Sequence, residues 1–62
     1  MIAIDAMGGD KAPRMVLQGA NIARARHPQV HYALFGDEKL LRPLLARLPK
    51  LAGVATVHHT DD

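Results

Sequence analysis

Sixty-two residues allow one domain at most, and folding at that length buries only about 60% of the chain's surface. With 48% apolar and 23% charged residues the composition is globular, and the lack of cysteine and serine excludes disulfides, thiolate zinc sites, a cysteine nucleophile and a Ser-His-Asp triad. A net charge of +2, scattered basic residues and only one Tyr and one Phe argue against nucleic-acid binding, and no apolar run approaches the ~18 residues that span a membrane.

Met1 to Ile4 is a short apolar run closed by Asp5 and followed by Gly8-Gly9, which reads as a buried strand ending in a tight loop. This start lacks the basic and long apolar regions of a signal peptide, so the expected location is the cytoplasm. Asp10 stands three residues before Pro13. Proline suits the first helical position, and an acidic residue before it can cap free N–H groups. A helix is predicted from Pro13 to Arg26, with Val16, Leu17, Ala20 and Ala23 as its apolar stripe. Gly19 in that helix suggests close packing on a sheet, and His27-Pro28 ends it.

Val30 to Phe35 is the second predicted strand, with Val30, Tyr32 and Leu34 on one face and His31, Ala33 and Phe35 on the other. Gly36-Asp37 makes a turn, and Asp37 can cap a second helix striped by Leu40, Leu41, Leu44, Leu45 and Leu48. Pro43 costs little in a first turn and kinks a helix further in, which favours a late start; Pro49 closes the helix. Val54 to His59 is the third strand. Adjacent His58 and His59 on a strand point to opposite faces, so they do not form a natural metal pair, and Asp61 and Asp62 read as a polar exit. His27 reads as a favourable charge near a helix C-terminus. Arg42, Arg47 and Lys50 read as a solvated helix face.

The alternation of strand, helix, strand, helix, strand predicts an α/β fold, a parallel βαβαβ unit made by right-handed crossovers. Two helices do not cover both faces of three strands, and both sheet edges stay open. The 62 residues are therefore expected to be the N-terminal part of a larger doubly wound domain. Ligands of such sheets bind at the carboxyl ends of the strands. The loop from Asp5 to Pro13 falls at that place. Its paired glycines let a backbone approach an anion, and the next helix adds its positive end. The loop is neither GxGxxG nor GxxxxGK[ST]. A plain strand-to-helix turn therefore stays open beside a phosphate-binding loop.

The run DAMGGDKAPRMVLQGA, Asp5 to Ala20, resembles the N-terminal signature of the PlsX family, the acyl-carrier-protein:phosphate acyltransferases of bacterial fatty acid and phospholipid synthesis. Asp5 through Asp10 match the family's DAMGGD without a change. Ala12, Pro13, Gly19, Ala20 and Ala23 fit as well, while Val16 falls one place early and Leu17 takes the usual aliphatic slot. Leu34-Phe35-Gly36-Asp37 resembles the family's L-V-G-D with Phe for Val, and Val57-His58 resembles the end of its third strand. The likeness spans the chain and is strongest over the first 23 residues.

The resemblance implies a longer protein with an isocitrate-dehydrogenase-like or phosphotransacetylase-like α/β fold, usually a homodimer. It implies transfer of a fatty acyl group from acyl carrier protein to inorganic phosphate, giving acyl phosphate, in a peripheral protein at the inner face of the membrane. No cofactor and no metal is expected. Phosphate is itself the nucleophile, which agrees with the missing Ser and Cys. Gly8, Gly9 and Lys11 are the candidate phosphate-binding residues. Asp5 and Asp10 are the candidate catalytic carboxylates, and loop organisation is their expected role because an acid beside bound phosphate repels it. The other reading is a nucleotide- or phosphate-binding α/β module, or a dehydrogenase-like domain, whose loop binds without acyl transfer. The 62 residues alone are expected to be inactive, because a cleft enzyme needs its other wall.

Overall fold

The computed structural model describes residues 1–7 and 12–61. The elements run β1 (Ile2–Asp5), α1 (Pro13–Arg26), β2 (Tyr32–Gly36), α2 (Glu38–Ala46), α3 (Pro49–Ala52) and β3 (Ala55–His59). The strands form one parallel sheet in the order β1-β2-β3. Ile2 pairs with Tyr32 and Asp5 with Phe35; Tyr32 pairs in turn with Ala55 and Gly36 with His59. The small parallel α/β unit is the one that the sequence pattern predicts.

Strand residues of one parity make the floor of the core. Tyr32 and Leu34 of β2 are buried, with Ile4, Ala55 and Val57 packed beside them. Leu17 and Ala20 of α1, Leu41 and Leu45 of α2, and Leu51 of α3 close over this floor. All three helices thus share one face, as consecutive right-handed crossovers require. The opposite parity, Ala3, Asp5, Ala33, Phe35, Thr56 and His58, forms the uncovered face, on which only Ala33 is buried.

Several expectations are corrected. β1 is an edge strand and largely exposed rather than buried, with Ile2 48% accessible, because one of its sides has no neighbour and one face no helix. Gly19 does not mark a close approach: a Cβ placed there would meet nothing within 4 Å. α2 does not start late. It begins at Glu38 and carries Pro43 in its interior, so the N–H that would reach the Lys39 carbonyl is missing. The Leu41 and Leu45 anchors hold the helix through this defect. Leu40 leaves the stripe and is half exposed. Pro49 does not close α2, which stops at Ala46; it opens α3 instead, a single turn that brings fully buried Leu51 into the core.

Candidate functional site

A parallel sheet gathers the carboxyl ends of its strands on one edge, and the N-termini of α1 and α2 open there too. An open concavity of about 570 Å³ lies at this edge, lined by Ala3, Ile4, Asp5, Met7, Phe35 and Thr60. The ladder continues past β1 and β2 into it: the Ala6 N–H donates to the Phe35 carbonyl at 2.9 Å, and the Thr60 N–H to the Gly36 carbonyl at 2.9 Å.

Asp5 ends β1. Its Oδ1 accepts the Met7 N–H at 3.1 Å, so the carboxylate folds onto its own chain and turns the backbone just before Gly8. Asp5 is exposed, on the row that continues through Phe35 to His58. The Phe35 and His58 rings stack with centroids 4.9 Å apart, and the Thr56 hydroxyl lies 2.9 Å from His58 Nε2. Gly8, Gly9, Asp10 and Lys11, the other candidate residues, lie outside the described residues, as does Asp62.

The two helix N-termini at this edge are built differently. The N-cap of α1 is Ala12, with extended backbone and no side chain to accept from the first turn. That turn contains Pro13 and Arg14 and no acidic residue. Its positive end is unneutralised by anything on the helix itself. The N-cap of α2 is Asp37, whose Oδ1 accepts the Lys39 N–H at 2.9 Å, and Glu38 adds a carboxylate to the first turn. Glu38 also holds Arg42 in an exposed pair at 2.9 Å, a favourable order along a helix worth only a few tenths of a kcal/mol (about 0.3–0.5).

Sequence reasoning missed His59. Its Nδ1 accepts the Glu38 N–H at 3.2 Å from across the sheet. With Nδ1 accepting, Nε2 carries the proton and donates to Asp61 Oδ1 at 2.7 Å. The partners are 21 residues apart, and only the register that sets His59 beside Gly36 reveals them. His58 and His59 do point to opposite faces of the strand, as strand geometry requires. Among the described residues no cluster of three or more His, Cys, Asp or Glu is placed to hold a metal ion, and no helix is long and apolar enough to cross a membrane.

The sequence matches the family described as fatty acid synthesis protein over residues 1–62. It is 61% identical over 61 residues to the phosphate acyltransferase of Rhodospirillum centenum, and 54% identical over 61 residues to that of Paramagnetospirillum magneticum. Each alignment covers 98% of this chain and 17% of the relative. The phosphate acyltransferase of Parvibaculum lavamentivorans is 45% identical over 60 residues, with 97% and 17% covered. No solved structure matches the chain.

Proposed function

The chain belongs to the fatty acid synthesis protein family, and on that premise we propose that the protein it forms part of is a phosphate acyltransferase that moves a fatty acyl group from acyl carrier protein to inorganic phosphate. The observation that carries this reading is the N-terminus of α1, which among the described residues has no side-chain cap and no acidic residue in its first turn, in the helix that follows the Asp5 turn in the sequence of a chain whose relatives are named for phosphate acyl transfer.

The chemistry follows from the groups available. A phosphate oxygen attacks the thioester carbonyl carbon. A carbon–oxygen bond forms, the carbon–sulfur bond breaks, and the carrier's thiolate leaves and takes up a proton. The protein's task is to hold a dianion against an acyl carbon and to stabilise the charge that develops on the carbonyl oxygen. Backbone N–H groups of Gly8 and Gly9 and the α1 N-terminus serve the anion, with Lys11 adding attraction. Asp5 is satisfied by the Met7 N–H, which supports a structural rather than a proton-transferring role for it. Asp10 is assigned to the same loop-organising task. Carrier-protein docking, the homodimer, the cytoplasmic location and the peripheral contact with the membrane belong to the same proposal.

The test is formation of acyl phosphate from acyl-acyl carrier protein and phosphate by the full-length protein. Saturable dependence on phosphate is expected. Gly9→Val is expected to lower kcat/KM for phosphate by about 10²-fold, because the added side chain blocks the close approach of the backbone amide to the anion, an effect of the size seen when one such donor is lost. Nucleotide binding without any acyl phosphate would replace this reading with the binding-module one.

A further inference from the structure

Gly36 ends β2, is buried, and has no positive φ that would demand a glycine. Space is therefore the reason for it. A Cβ placed on Gly36 would lie 2.5 Å from Met7 Cγ, 3.2 Å from Met7 Sδ and 3.2 Å from Leu41 Cδ1. Real Cβ atoms essentially never approach a neighbour as closely as the first of these distances. Glycine inside a strand commonly marks such a close approach. The side chains of Met7, itself 37% exposed, and of the fully buried Leu41 of α2 both lie against Gly36 at the end of β2. The Met7 N–H is the group that Asp5 Oδ1 accepts. One residue is thus held twice, by its side chain at Gly36 and by its backbone at Asp5, and it immediately precedes Gly8 in the sequence.

We infer that Gly36 is a positioning residue for the β1 carboxyl end: the side chain it lacks makes the seat in which Met7 rests, and through Met7 it sets the Asp5 turn on the concavity. The inference rests on the phosphate-binding reading of that edge. Leu41 sits 3.2 Å from the added carbon and can yield a few tenths of an ångström; Met7 cannot keep its place. A methyl group on Gly36 therefore displaces Met7, and the displacement passes along the backbone to the Asp5 hydrogen bond. Small misplacement of a binding group costs an enzyme heavily in affinity and rate.

The experiment uses the full-length enzyme as wild type, Gly36→Ala, Met7→Ala and the double variant. Each is assayed for acyl phosphate formation at varied phosphate, and by hydrogen exchange over the segment from Asp5 to Met7. Gly36→Ala is expected to raise the phosphate KM on the order of tenfold, with a smaller change in kcat. Its Asp5–Met7 segment should exchange faster. In the Met7→Ala background the seat is empty, so adding Gly36→Ala should change the KM by less than about twofold, the non-additivity expected of residues in contact. Should Gly36→Ala fail to fold, a folded double variant with the KM of Met7→Ala still supports the seat, and an unfolded double variant overturns it. An equal rise with and without the Met7 side chain, or an unmoved KM and unmoved exchange in Gly36→Ala, also overturns it. A wild-type enzyme that makes no acyl phosphate contradicts the function reading instead, and the exchange data then decide the seat alone.

Discussion

The N-termini of α1 and α2 open on the same edge of the sheet, yet α2 begins on Asp37, whose carboxylate takes the Lys39 N–H, while α1 begins on Ala12, whose side chain accepts nothing. α2 adds Glu38 in its first turn and receives His59 from β3; α1 offers Arg14 and a proline. The two helix dipoles are alike, so the difference lies in what answers them. At α2 the chain answers its own dipole and leaves little attraction for an outside anion. At α1 the described residues leave the positive end unanswered, next to the turn that leads into Gly8 and Gly9. A fold maximising stability would cap both ends. An end that the described residues leave without a cap forgoes about 1 kcal/mol from them and suits the charge of a ligand.

The comparison can be broken first at the helix bodies. Leu17 of α1 and Leu41 of α2 are both fully buried, so Leu17→Ala and Leu41→Ala should each destabilise the full-length protein by about 2–5 kcal/mol in denaturant unfolding. Markedly unequal losses would mean that the helices differ in anchoring and not only at their ends. Ala12→Asp gives α1 the cap that α2 has. The extended backbone of Ala12 already suits a capping residue. The variant should gain about 1 kcal/mol in stability and lose about tenfold in phosphate affinity, because its carboxylate occupies the amides and repels the dianion. Gain without loss of affinity would separate this helix end from phosphate binding.

Asp37→Ala performs the reverse exchange. It should cost about 1 kcal/mol, read as a lower unfolding midpoint, and leave the phosphate KM within about twofold. His59→Ala should cost least, about 0.5–1 kcal/mol, since the two hydrogen bonds it removes, to the Glu38 N–H and to Asp61, belong to a side chain that is 41% exposed. Faster amide exchange at the start of α2, with α1 unaffected, is the accompanying signature.

Much of this architecture was legible in residue types. Pro13 and His27-Pro28 bracket α1 at the observed limits, and alternation along Val30 to Phe35 separates the core face from the open one. What escaped depends on contacts that no local pattern encodes. Pro49 carried the same helix-opening signal as Pro13, but its helix is a single turn and its apolar content merged with the preceding leucine stripe. Pro43 misled because anchoring by Leu41 and Leu45 outweighs one missing hydrogen bond. Gly19 sits mid-helix where a packing glycine is expected yet has open space beside it, whereas Gly36, next to Asp37 in an expected turn, is the one that makes room. In the candidate site, Asp5 could be read as a loop organiser from its place at a strand end. The roles of Met7 and His59 arise only when β2 and β3 are brought into register.

The most direct measurement is phosphate affinity in the full-length protein with the caps exchanged, Ala12→Asp together with Asp37→Ala. If α1 is the end that receives phosphate, the exchanged protein should bind phosphate about tenfold more weakly than wild type, matching Ala12→Asp alone. Wild-type affinity in the exchanged protein, or a loss that follows Asp37→Ala instead, would contradict the account.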